Sequence, residues 1–124
     1  MDLAIRYGLP FVTVILGYGG RKLELDNVLL DTGSASTLFQ VDRLTAIDLH
    51  MEPEDLIHRI RGVGGTEFVF SKQVDELSIG RLRIHKFEIE VGAMDYGFEL
   101  DGIIGLDFLR AVRAKINLGN LTIA

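Results

Sequence analysis

The chain is 124 residues long, enough for one domain with its own core. Hydrophobic residues make up 48% and charged residues 25%, an ordinary globular balance. A net charge of −5 argues against a nucleic-acid role, and the absence of cysteine excludes disulfides, thiolate catalysis and Cys-based zinc sites.

Met1-Asp2-Leu3-Ala4-Ile5-Arg6 has no basic segment leading into an apolar one, and no apolar run reaches the ~18 residues of a membrane helix. The expectation is a cytoplasmic protein with no membrane segment in this chain. In chain order, Phe11-Val12-Thr13-Val14-Ile15-Leu16 reads as a strand and Gly17-Tyr18-Gly19-Gly20 as a hairpin turn. Lys22 to Asp26 alternates polar and apolar, as a strand with one wet face does. Val28-Leu29-Leu30 loses that alternation, which predicts burial on both sides. Val41 to Leu49 holds a short helix or turn. Gln73–Ile79 and Leu82–Val91 alternate again, with Gly80-Arg81 as a tight connection. Leu106 to Arg113 is the best helical stretch, with cations near its end. Lys115–Leu118 and Leu121–Ile123 read as two short strands. Many short strands at regular spacing point to one closed or sandwich-like all-β domain spanning residues 1–124.

Three segments carry candidate chemistry. Leu29-Leu30-Asp31-Thr32-Gly33-Ser34 runs an apolar strand into a carboxylate, a hydroxyl and a glycine. Asp-Thr-Gly arises by chance in roughly one chain in forty of this length, so alone it reads equally well as a turn. Ile60 to Val69 carries three glycines in Gly62-Val63-Gly64-Gly65, between strand-like arms. It fits a hairpin that closes over an extended ligand, or an ordinary glycine-rich hairpin. It does not continue as a phosphate-binding loop. Asp101-Gly102-Ile103-Ile104-Gly105-Leu106-Asp107 places branched apolar residues and a glycine before the helix, where Asp107 suits the N-terminal dipole.

In this order and spacing, Leu29-Leu30-Asp31-Thr32-Gly33, Gly62-Val63-Gly64-Gly65 and Ile103-Ile104-Gly105 resemble the retropepsin-like aspartic proteases. The resemblance covers about Pro10 to Leu118 and is to a bacterial-like single-domain member. It implies an all-β, acid-protease closed barrel with a flap hairpin and one short C-terminal helix. Asp31 takes the place of the catalytic aspartate. Thr32 matches the residue that locks two active-site loops together across a dimer, and Gly33 lets the backbone pass close to substrate. Ser34 resembles the serine that hydrogen-bonds the catalytic carboxylate. Gly62, Val63, Gly64 and Gly65 match the flap tip, and Ile103, Ile104 and Gly105 the segment behind the catalytic loop.

The implied activity is an aspartic endopeptidase acting as a homodimer on extended peptide or protein segments, with no metal or organic cofactor. Two carboxylates that share one proton activate water and protonate the carbonyl; the chain has one Asp-Thr-Gly, so a second copy supplies the other. The alternative is a non-catalytic module of the same fold that binds peptide or dimerises a larger protein. Retroviral members pair an acidic residue after the catalytic loop with an arginine at the helix entry. Here those places hold Ala35 and Leu106, while Ser36 and Asp107 follow the bacterial and pepsin-like pattern. His50, His58 and His85 lack metal-ligand spacing. Ser34 and Ser36 lack a nucleophile elbow. His58-Arg59-Ile60-Arg61 and Arg81 to Lys86 read as solvated strand faces, and Asp101 as a loop or substrate-facing residue.

Overall fold

A computed structural model describes residues 1–62, 65–95 and 97–124. Strand β1 (Ala4–Arg6) pairs with β2 (Leu9–Tyr18), which turns back into β3 (Arg21–Leu30). The β2–β3 turn is Gly19-Gly20, with φ of 58° and 79°. Two consecutive positive φ values are what a type I′ hairpin demands, and glycine takes them without a Cβ clash. Next come β4 (Leu38–Gln40), helix α1 (Val41–Leu44) and a 3₁₀ turn over Thr45–Ile47. The Val41–Leu49 segment is therefore helical through Ile47, α first and then 3₁₀.

Strands β5 (Ile57–Gly62) and β6 (Gly65–Ile79) form a hairpin, paired as far as Gly62 opposite Gly65. Val63 and Gly64, the middle of the expected flap tip, lie outside the described residues. β6 runs unbroken for 15 residues, merging the hairpin arm with the Gln73–Ile79 strand. It turns through Gly80-Arg81 into β7 (Leu82–Gly92), with Gly80 at φ 57°. Strand β8 (Gly102–Ile104), helix α2 (Leu106–Ala111), β9 (Ile116–Asn117) and β10 (Thr122–Ile123) complete the chain.

The sheet order is β1-β2-β3-β8-β4-β7-β6-β5, and β2 also pairs with β6. That extra pairing, Ile15–Gly17 against Ser78–Glu76, closes the sheet into a ring. The register of β2 on β3 shifts between Val12 and Val14, a local irregularity of the bulge kind. Inside the ring lies a core that includes Val14, Leu16, Val28, Phe39, Leu77, Ile89, Ile104 and Phe108. Val28, Leu29 and Leu30 are buried as the lost alternation predicts.

Helix α2 stops short of the expected Arg113. Arg113 sits in the left-handed region at φ 55°, its N–H donates to Arg110 O, and the Ala114 N–H donates to Leu109 O. These two bonds form a Schellman end, reached here without a glycine. The termini pair within the chain: Met1 and Leu3 bond to Ile123 and Leu121, and β10 pairs with β9.

At the hairpin root, Lys72 occupies an inward position between buried Phe70 and Val74, with a side chain 7% exposed. Such a cation needs partners, and Glu52 and Asp55 supply them, each with an oxygen 2.7 Å from Nζ. The Lys72 hydrogen bond holds the Asp55 carboxyl below the usual 3.8. Burial pulls the Lys72 ammonium down, but its bonds to Asp55 and Glu52 outweigh that and raise it above the usual 10.5. The Asp55 share of stability is thus present above pH 3.8 and lost as pH falls through its lowered value; the Lys72 share is present below pH 10.5 and lost above it. Lys72→Met is expected to flatten the loss of unfolding free energy as pH drops below 3.8, measured by urea titration. Equal acid slopes in both proteins would contradict the assignment.

Candidate active site

Asp31 stands at the first position past β3. Its N–H donates to Ile104 O at 2.9 Å, extending the parallel pairing of β3 with β8 by one bond. β8 lies between β3 and β4, so the Ile103-Ile104 segment packs directly beside the strand that delivers Asp31. The chain then turns tightly. The Ser34 N–H donates to Asp31 O at 3.2 Å, and the Gly33 N–H donates to Asp31 Oδ1 at 2.9 Å. A Cβ on Gly33 would lie 3.2 Å from that oxygen, so the small residue keeps the approach open. Asp31 is half-buried, while Thr32 and Gly33 are exposed. No ion pair reaches Asp31 among the described residues.

The loop is tied to the helix behind it. Thr37 is fully buried. Its hydroxyl donates to Asp107 Oδ1 at 2.8 Å and accepts the Gly105 N–H at 3.1 Å. The Thr37 N–H reaches Asp107 Oδ2 at 3.3 Å, and the Phe108 N–H donates to Asp107 Oδ1 at 2.7 Å. The Leu106 N–H donates to Ser34 O at 2.7 Å. Gly105 fits because nothing larger could: a Cβ there would collide with the Ser36 carbonyl. Asp107 thus does more than complement a helix dipole. Thr37 escaped the sequence reading; its signal is a buried hydroxyl residue opening the apolar pair Leu38-Phe39.

Two expectations need correction. The Ser34 hydroxyl donates to Ser36 O at 2.8 Å and not to the Asp31 carboxylate, because the tight turn brings that carbonyl within its reach. Asp101 is a loop residue, in the bend before β8, but it does not face substrate. It is 3% exposed, its Oδ2 accepts the Asn27 N–H at 3.2 Å, and its Oδ1 lies 2.8 Å from Arg43 Nε. Both acidic neighbours of the Ile103-Ile104-Gly105 segment are therefore engaged within the chain.

The expected flap residues Gly62 and Gly65 face each other at the end of the β5–β6 hairpin. The hairpin root reaches the floor: Val69 shares a buried cluster with Phe11, Leu29, Leu38, Leu100 and Ile103. The basic cluster on β5 is not simply solvated. His58 Nε2 lies 2.9 Å from Glu90 Oε2, which also accepts the Ser71 hydroxyl, and the Arg59 guanidinium sits over the Phe68 ring. On β7, Arg83 pairs with Glu76 at 2.8 Å. No cluster of three metal-ligating side chains forms among the described residues, and no described helix is long and apolar enough to cross a membrane.

A ring-like sheet that carries Asp-Thr-Gly at the end of one strand, beside an Ile-Ile-Gly strand leading into a short helix, is the acid-protease arrangement. Residues 12–108 match the family model described as aspartyl protease, so the chain belongs to the retropepsin-like aspartyl protease family. No curated protein matches the chain.

Thr37→Val would leave the Gly105 N–H and Asp107 Oδ1 short of a partner. Unfolding free energy is expected to fall by about 1–3 kcal/mol, as for other buried polar groups left unsatisfied. A denaturant midpoint that does not move would show that the network contributes nothing. Gly105→Ala is expected to cost about 1–3 kcal/mol through overpacking against Ser36, read as a lowered melting temperature.

Proposed function

We propose that the protein is an aspartic endopeptidase whose active site is completed by a second copy of the chain. The observation that supports this most directly is the setting of Asp31. It is a half-buried carboxylate without an ion-pair partner among the described residues, on a tight loop whose Gly33 N–H fixes one of its oxygens. The nearest acidic candidates, Asp101 and Asp107, are committed to Arg43 and Thr37.

Peptide hydrolysis by carboxylates needs two of them. A two-fold axis beside the exposed Thr32-Gly33 would bring two copies of Asp31 face to face. Two carboxyls that close share a proton: the charged one draws a proton from water while the neutral one donates to the scissile carbonyl. The pair then titrates as a unit. Thr32, on the exposed part of the loop, would hold the two loops in register, and Gly33 would leave room for the substrate backbone. The β5–β6 hairpin would cover the bound peptide as a flap, pairing with its main chain while side-chain pockets supply selectivity. Ile103, Ile104 and Gly105 would support the loop from behind. On this reading the protein works in the cytoplasm.

Incubation with a peptide library from acidic to neutral pH, beside Asp31→Asn, tests the assignment. Cleavage is expected in the unmodified protein and should drop by about 10²- to 10⁴-fold in the variant, the range carried by acid–base groups. Equal behaviour of the two proteins would favour a binding or dimerisation module instead.

A further inference from the structure

A cavity of about 480 Å³ opens between α1 and the segment leading into β8. Its wall is built of apolar and charged groups in separate places. Met94, Phe98 and Leu100 supply the apolar part, and Asp42, Arg43 and Glu99 the charged part. Gln40 fixes the wall with two bonds: its Nε2 donates to Met94 O at 3.0 Å, and its Oε1 accepts the Met94 N–H at 2.9 Å. Asn27 Nδ2 donates to Glu99 O from the other side.

Arg43 is the cation of the cavity, and it is already taken. Nε lies 2.8 Å from Asp101 Oδ1, on a carboxylate with 5% side-chain exposure, and Nη2 lies 3.4 Å from Glu99 Oε1. Asp101 Oδ1 has no aligned hydrogen bond, so this charge contact is what compensates it. Pulling Arg43 away to meet an anionic ligand would strand a buried carboxylate, which is strongly unfavourable. Asp42, in contrast, has no ion pair among the described residues, and Glu99 has a single contact with Arg43 at the solvent edge. Asp42 and Glu99 against one guanidinium, itself held by the buried Asp101, leave the cavity lining net negative.

An apolar wall with an acidic rim suits a long aliphatic stem that ends in a cation. The cavity also lies close to Asp31. Met94 and Phe98 pack on the cluster that contains Leu29 and Ile103, which flank the strand ends at the candidate site. Leu100, in the cavity wall, is four residues upstream of Ile104, whose carbonyl receives the Asp31 N–H. That is about 13 Å along an extended chain, the span of about four residues of an extended peptide.

We propose that this cavity receives a lysine or arginine side chain of the bound peptide, with its stem along Met94, Phe98 and Leu100 and its charge between Asp42 and Glu99. The proposal deepens the protease reading by naming a feature of the substrate, and rests on it. The test uses the inactive Asp31→Asn protein, so that binding is read without cleavage. Extended peptides carrying one arginine at successive positions are titrated against norleucine controls, with amide shifts followed by NMR.

At one position arginine is expected to bind about 3- to 10-fold tighter than norleucine, with shifts at Met94, Phe98 and Glu99. Asp42→Asn combined with Glu99→Gln is expected to abolish the difference, and 0.5 M salt to reduce it, as for any partly exposed charge contact. Equal affinity at every position, or a preference that survives the double variant, would overturn the proposal. If no peptide binds and the unmodified protein cleaves none, the protease reading has failed separately. N-acetyl-arginine methylamide then probes the cavity alone: shifts confined to its lining support a cation pocket, and none, or shifts equal to those from the norleucine analogue, reject it.

Discussion

The Thr37 hydroxyl is the point on which the candidate site depends. It sits fully buried between the loop that follows Asp31 and the start of α2, giving a hydrogen bond to Asp107 and taking one from Gly105. Asp107 in turn takes the Phe108 N–H, an orphan donor in the first turn of the helix. A strand end, a tight loop, a glycine and a helix start are thereby held by two side chains. This satisfies polar groups that burial would otherwise make costly, and it explains why Gly105 leaves no room for a Cβ. A charge network that serves the fold also removes Asp107 from the chemistry.

The same division of labour runs through the other acidic groups. Asp101 holds Arg43 and the Asn27 N–H; Asp55 and Glu52 neutralise Lys72; Glu90 binds His58 and Ser71. Each is engaged by a cation or a donor on a different element. Asp31 differs: its described hydrogen-bond donors come from its own turn, and no cation meets it among the described residues. A carboxylate held in place but left unpaired is what acid–base chemistry requires, and the single Asp-Thr-Gly of the chain is why a second copy enters the account.

Local features follow from local signals. The expected Gly17–Gly20 turn narrows to Gly19-Gly20, with Gly17 and Tyr18 still in β2, and Val28-Leu29-Leu30 is buried as its lost alternation predicts. What the sequence hid are positions decided by distant partners. Lys72 falls in the gap between the expected Ile60–Val69 hairpin and the Gln73–Ile79 strand, yet Glu52 and Asp55 let it lie inside one continuous 15-residue strand. Asp101 is the loop residue it reads as, but its burial is hidden because Arg43, far upstream, gives no local sign of reaching it. Ser34 follows its nearest acceptor, the Ser36 carbonyl, which a motif cannot reveal. Helix α2 ends early because Arg113 adopts a left-handed conformation usually left to glycine.

The central claim is that one Asp31 is half of an active site. Mixing unmodified protein with Asp31→Asn, after exchange of subunits, tests it most directly. If each site needs two intact copies, activity follows the square of the unmodified fraction, so an equal mixture retains roughly a quarter of full activity. Activity that falls in simple proportion to the unmodified fraction, and stays constant per chain on dilution, would show that a single chain carries the whole site.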